Sequence, residues 1–330
     1  VDILLQQLIN GLTTGSVYAI VALGYTMVYG VIQLINFAHG EVVMIGAMVA
    51  FTVIMALLGA GLPLPPALIV IGGIIAAIPV CMTIGYLLER LAYRPLRHAP
   101  RLAPLITAIG MSIILQHAAL LIWGRDPLAF PQILENASYT LGGAAISTVQ
   151  IVIILLAGAL MAILSGFVYR TKFGVAMRAT AEDVRIAALM GIDADRVIAA
   201  TFVIGAALGA VAGVMVGAYY GIAHYTMGFT LGLKAFSAAV LGGIGNLAGA
   251  MLGGVLLGIV EALGAGYIGE ISDLCRWPLL GQMLSERCSA EGHLVLFGSN
   301  YQDVFAFLVL ILVLVFRPSG LLGERVAERA

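Results

Sequence analysis

The stretch RTKFGVAMRATAEDVRIAALMGIDADR, residues 170–196, is a charged and patterned island in a chain that is otherwise almost continuously apolar. Thr180 followed three residues later by Asp183 has the spacing of a helix N-cap with an acidic first turn, and Gly191 suits a left-handed stop at the other end. The spacing predicts one short helix of roughly ten residues, about 15 Å long. Glu182, Asp183 and Arg185 fall near one end and one side of it, while Val184, Ala187, Ala188 and Met190 supply an apolar stripe at helical spacing. Such a helix suits a groove on a partner protein. An ordinary solvated loop between two membrane spans is the other reading.

The surroundings of this island exclude a water-soluble domain. Of the 330 residues 62% are hydrophobic and only 10% charged, against about a quarter charged in soluble proteins. The chain is therefore expected to be an all-α, polytopic membrane helix bundle, a single transmembrane domain over residues 1–330. The net charge of −1 carries little information, because the placement of Lys and Arg along the chain sets orientation. Those basic residues form no patch interleaved with aromatics, so nucleic acid is not an expected partner. The N-terminal VDILLQQLINGL lacks a basic leader and opens an apolar run too long for a cleaved signal peptide; it reads as the first span.

Apolar runs cover residues 3–31, 41–60, 67–93 (with Pro79 a kink), 104–124, 149–169 and 197–221, then a pair within 230–269 turning near Gly242 to Asn246, and a last run over 303–316. These nine runs are read as about eight spans with broken or re-entrant segments. The first two leave residues to spare, so Tyr29 to Gly40 is expected to be a broken or re-entrant piece lining a cavity, or else a tight surface turn. Leu62-Pro63-Leu64-Pro65-Pro66 is a turn. Arg90, Arg94, Arg97 and Arg101, the basic residues of 170–196, and Arg317, Arg325 and Arg329 place those three regions in the cytoplasm. Parity then puts the N-terminus and the 125–148 and 270–302 loops outside, and the C-terminus inside.

Gly205, Gly209, Gly213, Gly217 and Gly221 form a small-residue ladder every four positions, and Gly245, Gly249 and Gly253 and Gly11, Gly15 and Ala19 repeat the device. In lipid such faces let helices approach closely, within the bundle or against a second subunit. Ionisable groups within apolar runs are few: His39, Glu41, His117, Lys234 and Glu261. Each marks a pathway or a local ion pair. Tyr18, Tyr25, Asn36, His39, Glu41, Gln116, Lys234 and Asn246 are the candidate path-lining residues, with Thr13 and Thr14 as further polar groups; hydrogen bonding between helices is the alternative for each. Cys81 reads as a buried hydrophobe. Cys275 and Cys288, in an outside loop, either close a disulfide worth up to about 3 kcal/mol or remain free thiols. No H-E-x-x-H, G-x-S-x-G or Walker lysine motif is present, so no catalytic or metal residues are nominated, and energy from ATP has to come from another chain.

Three segments carry a resemblance: LINGLTTGSVYAIVALGYTMVYGVIQLINFAHGE at 8–41, RTKFGVAMRATAEDVRIAALMGID from 170, and GLKAFSAAVLGGIGNLAGAMLGGVLLGIVE at 232–261, with FRPSGLLGE at 316–324. Together they resemble the LivH-type permeases of bacterial branched-chain amino-acid ABC importers over nearly the whole chain. The resemblance implies an inner-membrane subunit with no cofactor of its own, working with a second related permease, two cytoplasmic ATPases that hold ATP and Mg, and a periplasmic amino-acid-binding protein. On that analogy residues 170–197 are the coupling segment, with Gly174, Arg178, Thr180, Glu182, Asp183, Ala187, Gly191 and Ile192 as its ATPase-contacting positions. The rival readings are an ABC permease for urea or other small solutes, and an ion-coupled secondary transporter using His39, Glu41, Lys234 and Glu261.

Overall fold

The computed structural model describes residues 2–61, 63–97, 99–100, 102–133, 137–277, 288, 295–297 and 301–323. Leu62, Arg101, Glu324, Arg325, Arg329 and most of the 270–302 loop lie outside these. Within them the chain is a helix bundle: α1 (Asp2–Ile32), α2 (His39–Gly59), α3 (Pro66–Leu87), α4 (Leu102–Trp123), α5 (Thr148–Arg170), α6 (Lys172–Glu182), α7 (Val184–Leu189), α8 (Ala194–Tyr220), α9 (Met227–Gly242), α10 (Leu247–Ile271) and α11 (Gln302–Phe316). Seven of these helices are long and apolar enough to cross a membrane, and two shorter apolar helices, Met227–Gly242 and Asp303–Phe316, stand beside them. An apolar chain in lipid has to satisfy its backbone internally, and helices do so within each segment. Pro79 sits inside α3 without ending it, and a π-helical turn, Leu88–Tyr93, and a 3₁₀ turn, Arg94–Leu96, finish that span.

The bundle has a crowded centre and a lipid-facing rim. α1 and α8 are mostly buried, while most residues of α3, α4 and α5 are only partly buried or exposed. Close approach at the centre depends on glycine. α1 and α10 run antiparallel with backbones in contact: a Cβ added at Gly11 would lie 2.6 Å from Ile259 Cα, and one at Gly15 2.8 Å from Val255 Cα. On the facing side Gly254 meets Ala19 and Gly258 meets Gly15. The ladder of α8 is used up within the chain as well, since Gly205 faces Gly24 of α1, Gly213 abuts Val43 of α2, and Gly217 seats the Phe130 ring. Gly221 is not part of that packing face. It ends α8 in a left-handed conformation, φ +69°, a position where glycine carries no Cβ penalty.

Between α1 and α2 the chain turns back into the bundle. His39, the first residue of α2, packs against Gly24, about eight residues or 12 Å before the end of α1. Of the irregular residues 33–38, Asn36 and Ala38 are buried, Leu34, Ile35 and Phe37 are partly buried, and Gln33 is exposed, so protein covers most of the non-helical backbone there. Gln33 takes a positive φ of +52° there. α9 and α10 form the hairpin expected from the sequence, turning at 243–246, where Gly243 and Gly245 have φ of +105° and +97°.

Two faces result. On one, Gln6 exchanges two hydrogen bonds with the backbone of Ala145. There β1 (Leu128–Ala129) pairs with β4 (Ile222–Ala223), and β2 (Ser138–Leu141) with β3 (Ala144–Ser147). The opposite face carries α6, α7 and the 243–246 turn, to which residues 321 and 322 are tied through Leu241 O and Gly242 O.

The 170–196 stretch departs from the single helix predicted. It holds two helices at an abrupt junction, α6 and α7. Thr171 caps α6, its hydroxyl accepting from Gly174 N at 3.1 Å. Thr180 is no cap: it lies buried inside α6 and donates to Ala176 O at 2.8 Å. Asp183 breaks the run with extended backbone, φ −156°, and its carboxylate accepts from Arg185 N and Ile186 N at 2.7 and 3.0 Å. Gly191 follows α7 with φ +82°.

Candidate functional site

The α6–α7 face presents an apolar surface to solvent. Ile186, Leu189 and Met190 are exposed, Leu189 by 86% and Met190 by 79%, with Val184 beside them. Of the positions nominated for contact, Glu182, Arg178 and Gly191 reach the surface, Asp183 and Ile192 are partly covered, and Gly174, Thr180 and Ala187 are buried. The buried ones build the element. Gly174 lets α6 fold back on the end of α5, since a Cβ there would lie 2.6 Å from Phe167 O, and Arg178 lies over the Tyr169 ring at 5.4 Å. Gly191 N and Ile192 N close the end of α7 by donating to Ala188 O and Ala187 O, both at 3.0 Å. Inward, Met177, Arg178 and Ala181 share a cavity of about 90 Å³ with Met27, Gly30 and Gly245. A movement of α6 therefore bears directly on the broken end of α1 and the α9–α10 turn.

A charged knot that the sequence reading passed over ties the far end of this element. Glu89 is fully buried and accepts from Arg94 Nε and Nη2, both at 3.1 Å, and from Arg97 Nη2. Arg97 and Arg94 also reach Asp195, in the first turn of α8, at 2.5 and 3.7 Å. The signal was present: an acidic residue among four arginines at the end of an apolar span. Counting those arginines only for orientation hid it.

The eight candidate path residues do not form one site. Tyr25, His39 and Glu41 come together in the buried centre, with Tyr25 and His39 in edge contact at 4.9 Å. Glu41 Oε1 accepts from Ser112 at 3.1 Å, and Gly228 leaves room for Oε2. Asn36 is held by the Tyr93 hydroxyl, which donates to its Oδ1 at 3.1 Å. Asn246 works as a cap and tether: its Oδ1 accepts from Gly249 N at 3.1 Å and its Nδ2 donates to Leu322 O at 2.8 Å. Gln116 is half-buried on the rim helix α4, and His117 beside it is exposed with Nδ1 2.9 Å from Ile113 O.

Tyr18 and Lys234 line a different space, a cavity of about 300 Å³ shared with Val216, Tyr220, Met227 and Leu231. The Lys234 ammonium lies 2.7 Å from both Glu261 and Asp303 and 5.8 Å from the centre of the Tyr18 ring. Tyr220, His224 and Asp303 were not singled out from the sequence, because nothing local marks them as neighbours of Lys234. Near the α10 end of this region a disulfide joins Cys275 to Cys288, with Cα atoms 5.6 Å apart.

Comparison with known proteins places this architecture. Residues 7–314 match the model of the family described as branched-chain amino acid transport system, permease component. The chain is 47% identical over 329 residues to the high-affinity branched-chain amino acid transport system permease protein BraD of Pseudomonas aeruginosa, covering 98% of this chain and 97% of that one. It is 44% identical over 330 residues to the permease protein LivH of Escherichia coli, again over 98% and 97% of the two chains. A more distant relative is the probable branched-chain amino acid transport permease protein LivH of Methanocaldococcus jannaschii, 28% identical over 310 residues, 92% of this chain and 88% of that one. No solved structure matches the chain. The helix bundle and the matches over nearly its full length agree: the chain belongs to the branched-chain amino acid transport system permease family.

Proposed function

We propose that the chain is the membrane permease subunit of an ATP-driven importer for branched-chain and other hydrophobic amino acids, multi-pass in a bacterial inner membrane. The names of its relatives support the substrate class. The single observation that carries the mechanism is the exposed apolar surface of α7, projected on the face that gathers Arg94, Arg97, Arg170, Lys172, Arg178, Arg185 and Arg196. The positive-inside rule makes that face cytoplasmic, with the N-terminus periplasmic and the C-terminus cytoplasmic. There α6 and α7 dock on a cytoplasmic ATPase. ATP and Mg belong to two such ATPases, a second related permease completes the membrane part, and a periplasmic binding protein delivers substrate on the opposite face.

Transport proceeds by alternating access. Movement of the ATPases shifts the α6–α7 pair as a unit; its contact with the end of α1 and the Glu89–Arg97–Asp195 link to α8 pass that shift into the bundle. The glycine seams allow helices to slide at van der Waals distance. Leu189→Asp places a charge in the docking groove and is expected to reduce leucine uptake by about tenfold or more while the variant still inserts in the membrane. Wild-type uptake by Leu189→Asp at equal membrane abundance removes the coupling role. An ion-coupled transporter built on the buried Glu41 is the rival reading, and it predicts uptake that survives ATP depletion.

A further inference from the structure

The end of α10 and the start of α11 carry an exposed apolar patch. Ile271, Trp277, Val295, Leu296, Phe297 and Tyr301 are each exposed by 43% to 68%. Polar groups beside them turn inward. Ser272 and Asp273 are buried; the Ser272 hydroxyl donates to Phe297 O at 3.0 Å and accepts from Phe297 N at 3.1 Å. Trp277 Nε1 donates back to Ile271 O at 3.2 Å, which leaves the apolar part of the ring outward. The Cys275–Cys288 disulfide and the bond from Leu296 N to Ser272 O, 3.1 Å, pin these segments to the end of α10. A contiguous apolar surface held in place in this way marks a contact with another protein or with a membrane.

Depth decides between the two. α10 leaves the 243–246 turn at Leu247, and at about 1.5 Å per residue its last residue, Ile271, lies about 36 Å further along the axis. The hydrocarbon core of a bilayer is about 30 Å thick, and about 40–45 Å with both headgroup layers. Phe305 of α11 is level with Gly264, since a Cβ added there would lie 3.2 Å from Phe305 Cβ. Tyr301, about one turn further out, is then about 31 Å from Leu247. Trp277, Leu296 and Phe297 bond to residues 271 and 272 and share that level. The patch thus lies where the hydrocarbon gives way to the headgroups. It also continues the exposed stripe of Val304, Leu308, Ile311 and Val315 along α11, whose helical spacing marks one face.

We infer that this disulfide-pinned patch is an interfacial anchor whose partner is the lipid of the bilayer. Trp and Tyr suit that layer because each ring is apolar with one polar edge, and the exposed Arg276 next to Trp277 suits the phosphates. The anchor fixes the depth of α10 and α11, and with them Glu261 and Asp303, each 2.7 Å from the Lys234 ammonium. It depends on these helices crossing the membrane and not on what the chain transports.

The test places the assembled transporter in phospholipid vesicles and follows the emission of Trp277, taken as the difference between wild type and Trp277→Phe. Acyl chains brominated close to the glycerol are expected to remove most of that emission, and iodide in the water to leave most of it. Emission quenched by iodide and untouched by brominated lipid places the patch in water, where a soluble partner docks, and overturns the anchor. Emission reached by neither shows that a neighbouring subunit covers the patch, which overturns it as well. Should Trp277→Phe fail to assemble, the full chain reconstituted with Trp123→Phe has Trp277 as its sole tryptophan, and the same two quenchers give the same decision between lipid and water. The readout needs no transport, so a failure of the importer reading leaves it standing.

Discussion

Asp183 shows how one side chain shapes the docking element. Its carboxylate accepts from two backbone amides at the start of α7, and these hold its pKa below the ordinary carboxylate range, with Arg185 adding to the effect. A depressed carboxyl pKa means a contribution that is complete above the unfolded pKa and is lost only as pH falls through the lower, folded value. The cap is therefore fully formed at every pH a transport assay uses. Asp183→Asn keeps an acceptor oxygen in place, so the ratio of its ATP-driven leucine uptake to wild type is expected to stay constant from about pH 5 to 8; a ratio that changes across that range contradicts the capping role. The sequence reading placed the cap three residues earlier, at Thr180, and took Asp183 for an acidic residue of the first turn. Thr180 has the right spacing for a cap, but burial inside α6 turns its hydroxyl back on Ala176, as threonine does inside helices. Local spacing carries no record of burial, so the two candidates look alike until the fold is known.

Whole helices were more legible than the pairs they form. Long apolar runs separated by Gly, Pro and charged residues mark the spans directly, and the surplus of residues before Glu41 marks the break between α1 and α2. The small-residue ladders announce close packing, but which helix each one meets depends on tertiary arrangement: α10 for Gly11 and Gly15, α1 and α2 for Gly205 and Gly213. The same limit applies to the cavity at Lys234, assembled from α1, α8 and α9, and to the carboxylate of Asp303 on α11, at the far end of the chain. The seam yields a comparison between two glycines. At Gly15 a methyl group meets Val255 backbone at 2.8 Å, and at Gly110 it meets nothing within 4 Å. Gly15→Ala is expected to cost about 1–3 kcal/mol by overpacking, despite the gain in helix propensity, whereas Gly110→Ala is neutral or stabilising by up to about 1 kcal/mol. Thermal unfolding in detergent reads both; equal midpoints would show that the α1–α10 backbones are not in contact.

For the molecule as a whole, two faces of opposite character support the importer reading proposed above. One carries the basic residues and the exposed α7; the other carries the short strands and the Cys275–Cys288 disulfide. If that second face lies in an oxidising compartment, as proposed, alkylation of the unfolded, unreduced chain extracted from its native membrane is expected to label Cys81 alone, and all three cysteines after reduction; three labelled thiols before reduction contradict the placement. The central claim is that this chain moves amino acids because ATPases grip α6 and α7. Its most direct test is to tag the chain, extract it gently from its native membrane, and identify what co-purifies, with a Leu189→Asp version alongside. The account predicts a second permease and two ATPases with the wild type, and loss of the ATPases alone in the variant. A single polypeptide, with leucine uptake indifferent to ATP depletion, contradicts it.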